Sequence, residues 1–537
     1  MGFDNAVTYS RRQNLHALVL FAALFAIIFL LHIPLLRLPY FWDEAGYYIP
    51  AARDLLFSGS VIPHSTVSNA HPPLVMAYLA LCWKIFGYAP LVTRTAMLAM
   101  AAFTLAGVYR LAEGLANSVV ALLATICALL YPVFFAQSTM AHIDLAAAGL
   151  TIWGLVSYFE NRRANAAFWF CLAVMAKETA VLAPLALCAW ECLCPLFASK
   201  LDFPCTRRLN RTTGWLLLPV LVLAAWYGYH YSQTGYIFGN PEFFRYNVKA
   251  TLNPLRIFLA LLMRVWQVFG HMNLLFLTLA AGYAMWRPAL RDADQERPRI
   301  AVENQLALGT VVLAYLLAMA MVGGAVLARY MLPVVPLIII VFVSTVWRRL
   351  RNWKVFIAIA LAGFALALVT NPPYGFPPED NLAYRDYVLL HQQASAFIEQ
   401  RFPTARVLTA WPGSDELTRP YLGYVSRPAK VVRIEDFSAE QVMAAADFNS
   451  SFDVIFVFST KYTPGTTLLD RSGIWRQWNE QFFGYHVDVP PNVAAQLLGG
   501  RLVFSDERNG EWVGVIEMER AYVAKAVTSP SNDRNTF

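Results

Sequence analysis

Long runs of apolar residues recur over about the first 370 positions and limit the folds open to this chain. Several runs are about 20 residues long, the length that an α-helix needs to cross the hydrocarbon core of a bilayer. Only 14% of the 537 residues are charged, whereas a soluble domain has about a quarter. The sequence therefore predicts an α-helical polytopic membrane protein.

The apolar runs predict eleven transmembrane helices. Segments 73–87 and 255–270 are apolar too, but the first is short and the second carries Arg256 and Arg264, so we expect both to lie flat at the membrane interface. Counted as spans, they would raise the number to thirteen. The eleven predicted spans are residues 15–36, 91–112, 117–137, 143–160, 164–176, 179–196, 213–231, 271–287, 305–323, 330–347 and 355–370.

Basic residues between the runs predict the orientation of the chain. Arg11 and Arg12 precede the first run, and no small-residue cleavage site follows it, so we expect an uncleaved first span with a cytoplasmic N-terminus. Nearly all other basic clusters then fall on the cytoplasmic side. The formal net charge of +7 is explained by topology and requires no nucleic-acid partner.

The seven cysteines all lie between Cys82 and Cys205, in or beside apolar segments. Cys192, Cys194 and Cys205 have no nearby histidine that would complete a metal site. We expect reduced thiols and no disulfide framework.

The composition changes after the last predicted span. A proline-rich stretch at 371–378 predicts a stiff linker, and residues 379–524 predict a soluble α/β domain on the outer side, because the number of spans is odd. The tail 525–537 is expected to be disordered. Within the soluble domain, helices are predicted at 380–402 and 438–446, and strands at 406–410, 430–434, 453–458 and 513–517.

Asp43 and Glu44 stand in the predicted outer loop 37–90, among five aromatic residues. Aromatic rings settle at a membrane interface, and ionisable groups held near hydrocarbon are costly. A carboxylate here could act as a general base. Alternatively, the two acids are solvated at the start of a short helix predicted at 43–57.

Other candidate residues lie at the predicted outer ends of their segments. Two consecutive prolines could hold His71 rigidly towards an anionic group, or could simply end a loop. Each of the other six candidate residues could equally cap a helix, form a structural ion pair or anchor a span. Together they predict a site for an anionic substrate on the outer face. These residues are His142, Asp144, Lys177, Glu178, Arg329 and Tyr330.

The order of these motifs resembles that of the GT-C glycosyltransferases, with the protein O-mannosyltransferases and the bacterial aminoarabinose (lipid A) transferases as the nearest branches. The resemblance covers roughly residues 10–370. It implies the GT-C fold in a bacterial inner membrane and inverting transfer of a hexose or pentose from a polyprenyl-phosphate donor. The acceptor would be a lipid, glycan or protein on the periplasmic side.

The resemblance also implies roles for the candidate residues. Asp43 would be the catalytic carboxylate, as base or acceptor-orienting group, supported by Glu44 and Asp144. The sequence shows no metal-binding carboxylate cluster of the oligosaccharyltransferase type, so no metal is expected, and the lipid-linked donor is a substrate and not a cofactor. Lipid A transferases have lysine where His71 stands and a basic residue near Gly46, which counts against aminoarabinose transfer to lipid A. The donor phosphate would be handled by His71, Lys177 and Arg329, while His142, Asp144, Glu178 and Tyr330 would line the site.

Two other classes of function stay open. A transporter or lipid flippase would place ionisable groups near the bilayer midplane, often in paired halves, whereas here the charges fall at span ends and no half-repeat is visible. An inactive scaffold that binds a partner through its outer α/β domain is the third possibility.

Overall fold

The computed structural model describes residues 2–292, 295–464 and 472–518. Up to residue 369 this part of the chain is almost entirely helical. The helices here are α1 Gly2–His32, α2 Ile49–Ser58, α3 Leu74–Phe86, α4 Pro90–Leu115, α5 Ser118–Leu130, α6 Pro132–Gln137, α7 Ile143–Phe159, α8 Arg163–Ala176, α9 Leu182–Leu201, α10 Leu218–Thr234, α11 Pro241–Asn247, α12 Pro254–Phe269, α13 Leu274–Met285, α14 Val302–Met321, α15 Val335–Arg349 and α16 Trp353–Val369.

Each of the eleven predicted spans falls on one helix or on two consecutive ones. By length and composition, six helical stretches in the described residues could cross a membrane. Helices such as α5 and α8 are apolar but shorter, so the count of eleven stays a prediction. The six stretches are His16–Leu35, Pro90–Leu115, Glu178–Leu201, Arg211–Thr234, Pro254–Met285 and Val302–Met321.

The short helices predicted in the outer loop are present. A π-helix over Glu44–Tyr48 leads into α2, and α3 begins directly after the two prolines. The segment predicted to lie flat at 255–270 is α12, which continues through a bend at 271–273 into α13. Arg256 and Arg264 turn inward and are buried, which removes the reason for placing this segment at the interface.

One expectation about the cysteines is wrong. A disulfide joins Cys194, near the end of α9, to Cys205 in the following loop. The eleven-residue separation gave no signal for this bond, because close approach depends on how the loop folds back. The other five cysteines in the described part of the chain are free.

A second unit follows α16. Its five-stranded sheet has the order β4-β3-β5-β7-β6, with β4, β3 and β5 parallel and β7 and β6 antiparallel to their neighbours. Two separate strands of two residues each, β1 Arg291–Asp292 and β2 Gln295–Glu296, pair in antiparallel fashion before α14. The elements of this unit are α17 Ala383–Arg401, β3 Arg406–Thr409, α18 Gly413–Thr418, β4 Lys430–Arg433, α19 Ala439–Ala446, β5 Val454–Phe458, α20 Gly473–Phe483, α21 Pro491–Leu498, β6 Gly500–Arg508 and β7 Glu511–Met518.

The four predicted strands and both predicted helices are therefore present, and the unit is α/β. Strand β6 was missed because its sequence, GRLVFSDER, carries four charged residues and lies at the sheet edge, where polar side chains are tolerated. The linker and domain boundaries stay predictions. The tail 525–537 lies outside the described residues.

The α/β unit packs against the outer loop. The Trp411 ring lies 5.1 Å from that of Trp42, centroid to centroid, and a Cβ on Gly46 would come within 2.8 Å of Trp411. Tyr424 Oη donates a hydrogen bond to the Tyr40 carbonyl at 3.0 Å. The loop that carries Asp43 is thus held between the helices and the α/β unit.

Candidate active site

The backbone adopts an unusual conformation directly before Asp43 and directly before His71. Trp42 and Ala70, the residues before Asp43 and His71, both have positive φ angles, 46° and 59°. A non-glycine residue in this region costs roughly 1–3 kcal/mol, which the surrounding packing must offset, and such residues concentrate at functional sites. The π-helix that starts directly after Asp43 is another such feature.

Arg329 lies at the centre of a buried charge cluster. Its Nη2 contacts Asp43 Oδ2, its Nε lies 3.3 Å from Asp144 Oδ2, and its Nη1 donates to Glu379 Oε2 at 2.5 Å. The side chains of Asp144 and Glu379 are almost fully buried, whereas that of Asp43 is 21% exposed. Three carboxylates from separate parts of the chain therefore share one guanidinium, and Asp43 alone is open to a substrate.

Lys177 extends the cluster. Its Nζ lies 2.5 Å from Asp144 Oδ1 and 3.8 Å from the centroid of the Tyr330 ring. The pair that the adjacent Lys177 and Glu178 could have formed with each other is not made. Glu178 Oε2 instead lies 2.8 Å from His71 Nδ1. Each of the two adjacent charges thus fixes a different part of the site.

His142 lies on the other edge of Arg329. Its Nδ1 is 2.8 Å from Gln137 Oε1 and 3.1 Å from Arg329 Nη1. Burial, and then the positive charge of Arg329, lower the pKa of His142 well below its usual range. His142 is therefore neutral and adds no charge to the cluster.

Glu44 points away from this cluster. It is completely buried, and its carboxylate accepts hydrogen bonds from Arg94 Nη1 at 2.5 Å, from the Ala141 amide at 2.5 Å and from the Phe41 amide at 2.9 Å. These contacts tie the outer loop to α4 and to the turn before α7. Its geometry favours positioning Asp43 over reacting itself.

Glu44→Gln is expected to destabilise the protein by about 3 kcal/mol, because Arg94 would stay buried without its counter-charge. Thermal unfolding in detergent measures this. Glu113→Gln is the matched control: it breaks the half-exposed pair between Arg110 and Glu113, which should cost less than about 1 kcal/mol. Equal effects of the two substitutions would contradict the structural role of Glu44.

Glu379 belongs to the site but is not among the residues predicted from the sequence. It stands nine positions after Thr370, where α16 ends, in a segment interpreted as the start of the soluble domain. The side chain is 96% buried, and burial is the main reason that its pKa is raised to about 8, against the opposing effect of Arg329. No local pattern marks it, because its partners are 50 or more positions away.

Arg256 and Arg264 were missed as site residues as well. Arg264 Cζ lies 5.4 Å from the centroid of the Tyr330 ring, and Arg256 Nη2 donates to the carbonyls of Gly323 and Gly324 at 2.7 and 3.0 Å. In the described residues neither guanidinium has a carboxylate partner, and Arg256 Nη1 and Arg264 Nη2 have no hydrogen-bond acceptor. Arg264, a buried cation beside Tyr330, can receive an anion, and Arg256 lies eight residues earlier on the same helix.

A cleft lies beside His71 in the outer loop. Its walls are uncharged apart from His71, and they combine aromatic rings, hydroxyl groups and aliphatic side chains. This lining suits a neutral ligand with hydroxyl groups. The residues include Tyr47, Tyr48, Thr66, Ser68, Asn69 and Trp226.

A possible metal ligand set exists elsewhere. Atoms of Cys194, Cys205 and Glu303 lie within 4.8 Å of one another. The two sulfurs are bonded to each other, and Glu303 accepts hydrogen bonds from Thr206 and Arg207. These groups are engaged with each other and with protein donors, so the donor set does not fit a metal ion.

Comparisons with known proteins show which family part of the chain is similar to. The family model of dolichyl-phosphate-mannose-protein mannosyltransferases matches residues 70–229, a stretch that contains His71, His142, Asp144 and Lys177. A search of curated protein sequences finds no significant match.

Solved structures show the fold. ArnT from Cupriavidus metallidurans, in a crystal structure bound to undecaprenyl phosphate, has a TM-score of 0.53 and 13% sequence identity, over 93% of this chain and 97% of ArnT. ArnT in the apo state has a TM-score of 0.50 with the same identity and coverage. The similarity spans both the helical part and the α/β unit.

Fold, motif order and family match together support a membrane glycosyltransferase of the GT-C superfamily. This confirms the class that the motifs predicted. The chain is thus similar to dolichyl-phosphate-mannose-protein mannosyltransferases over residues 70–229 and to ArnT over nearly its whole length.

Proposed function

We propose that this protein transfers a sugar from a polyprenyl-phosphate-linked donor to a hydroxyl-bearing acceptor, with inversion at the anomeric carbon. The observation that carries the proposal is one arrangement: Arg329, which holds the partly exposed Asp43 carboxylate, and Arg264 both lie over the ring of Tyr330. A carboxylate next to an anion site suits transfer of a group away from phosphate. ArnT, which has the same fold, was crystallised with undecaprenyl phosphate.

Asp43 is the proposed base. Its carboxylate takes the proton of the acceptor hydroxyl while that oxygen bonds to the anomeric carbon. The bond between this carbon and the phosphate oxygen breaks, and the electron pair leaves with the polyprenyl phosphate. Arg329 orients the Asp43 carboxylate through their ion pair.

The leaving phosphate gains negative charge as the bond breaks. Arg256 and Arg264 can stabilise this charge through their free N–H groups. Lys177 and Arg264 both lie over the ring of Tyr330, at 3.8 and 5.4 Å from its centroid. His71, paired with Glu178, would face the same phosphate from the outer loop.

Arg264→Gln is expected to weaken binding of undecaprenyl phosphate by roughly tenfold or more, because hydrogen bonds to charged groups contribute about 1.5–3 kcal/mol. Intrinsic fluorescence titration in detergent measures the dissociation constant. Arg287→Gln removes an exposed arginine at the end of α13 and serves as the control. Unchanged affinity in Arg264→Gln would remove this arginine from the phosphate site.

The neutral lining of the cleft beside His71 supports an uncharged transferred sugar or acceptor. Aromatic faces such as Tyr48 and Trp226 suit the apolar faces of a sugar ring, and nearby hydroxyl and amide groups suit its hydroxyls. A lipid, glycan or protein acceptor is compatible with this lining.

The reaction is proposed to need no metal ion or cofactor. Three carboxylates that might otherwise gather a divalent cation converge on Arg329, whose guanidinium already occupies the position between them. We further propose that the protein lies in a bacterial inner membrane with a cytoplasmic N-terminus. It would cross the membrane eleven times and hold its α/β domain on the periplasmic side.

The test is a donor panel. The full chain in proteoliposomes is incubated with a set of undecaprenyl-phosphate sugars and crude envelope extract as acceptor, with and without EDTA. We expect one donor to be consumed, equally with EDTA present. Consumption of none of them would contradict the proposed function.

A further inference from the structure

The two carboxylate oxygens of Glu379 have different surroundings. Its Oε2 accepts from Arg329 Nη1 at 2.5 Å, while its Oε1 is buried and has no hydrogen-bond partner. Its backbone carbonyl accepts from Gln137 Nε2 at 3.3 Å, and Gln137 also holds His142. The residue is therefore fixed in place, with one oxygen free to carry a proton.

The charges of the cluster do not balance if every group is ionised. Three carboxylates face Arg329, and Lys177 is the second cation in contact with them. Among these five groups the sum would be one negative charge, and the next cation, Arg264 over the Tyr330 ring, is the one assigned to the donor phosphate. Protonation of one carboxylate brings the sum to zero.

Glu379 is the member best suited to hold this proton. Asp144 contacts two cations and Asp43 is partly exposed, whereas Glu379 is buried with a single cation and an unpaired oxygen. The groups that act on Glu379 are Arg329, Asp43, Asp380 and Asp144. Burial and the three carboxylates oppose its ionisation, and Arg329 favours it.

We propose that Glu379 is a positioning residue for sugar transfer: in its protonated form it holds Arg329 between Asp43 and Asp144 and leaves the cluster uncharged, so that an anionic donor can bind. The inference rests on the proposed function. Its pKa of about 8 means that Glu379 is neutral below this pH and negative above it. Donor binding should therefore weaken as pH rises through 8, while the chemical step on bound donor changes little.

The test compares wild type, Glu379→Gln and Glu440→Gln between pH 7 and pH 9.5. For wild type we expect KM for the consumed donor to rise by roughly three- to tenfold with little change in kcat, since one added charge several ångströms away acts through a partly screened medium. In Glu379→Gln, a permanently neutral isostere, KM should not depend on pH in this range. Glu440, exposed on α19, is the control and should keep the wild-type curve.

Binding of undecaprenyl phosphate to wild type gives a second readout if the variant does not fold. Between pH 7.5 and 9.5 the phosphate is already a dianion, because its second pKa is about 6, so a rise in its dissociation constant comes from the protein. A flat wild-type curve, or a rise that Glu379→Gln preserves, overturns the inference. Failure of wild type to consume any donor would instead overturn the proposed function.

Discussion

Asp43→Asn is expected to lower kcat for sugar transfer by roughly 10²- to 10⁴-fold, the usual contribution of a general base. Asparagine has nearly the same shape, and Arg329 can still donate to its amide oxygen. The amide cannot take a proton from the acceptor hydroxyl. Donor consumption in proteoliposomes measures the loss.

Binding of undecaprenyl phosphate should survive in Asp43→Asn, because the phosphate is assigned to other residues. Asp54→Asn is the matched control: Asp54 lies in the same outer loop and accepts hydrogen bonds from the His64 and Ser65 amides, outside the charge cluster. Activity close to wild type in Asp43→Asn would show that this carboxylate is not the base.

Arg329→Ala is expected to destabilise the protein by about 5 kcal/mol or more, because it leaves three carboxylates without their shared cation, where breaking one buried pair already costs about 3–5 kcal/mol. In wild type burial raises the pKa of Glu379 to about 8 while Arg329 lowers it, so removal of the guanidinium raises this pKa further. A raised folded-state pKa gives stability that is present at low pH and lost as pH rises. The deficit relative to wild type should therefore grow from pH 7 to pH 9.5.

Thermal unfolding of wild type, Arg329→Ala and Arg329→Lys across this range tests the prediction. Lysine keeps the charge but loses the forked geometry that serves three partners, so its deficit should be smaller and less dependent on pH. A deficit in Arg329→Ala that is small, or the same at both pH values, would show that the carboxylates do not depend on this guanidinium.

The helices could be predicted because each one carries its own signal. Apolar runs of membrane-spanning length mark α4 or α14 without reference to any other segment. The number of spans could not be fixed in the same way, because several helices are shorter than a bilayer requires.

The site could be predicted only in part. Asp43, His71 and Arg329 stand in short, distinctive motifs at span ends, and the family resemblance gave their order a meaning. Their pairing was not predictable: Lys177 contacts Asp144 rather than its neighbour Glu178, because the backbone turns between α8 and α9.

Glu379, Arg256 and Arg264 could not be identified from the sequence. Glu379 follows a proline-rich stretch that is typical of a linker, and its role depends on an arginine 50 positions earlier. The two arginines lie in an amphipathic helix, a pattern that is equally typical of a helix at the membrane surface. Only the fold shows that their guanidinium groups point inward.

The most direct test of the central claim is whether the sugar–phosphate bond is broken. In proteoliposomes with the consumed donor, mass spectrometry can count undecaprenyl phosphate released, acceptor glycosylated, and intact donor on each side of the bilayer. A transferase releases one undecaprenyl phosphate for each sugar on the acceptor, and we predict this ratio. Movement of intact donor across the bilayer without release of undecaprenyl phosphate would contradict the account and identify a flippase.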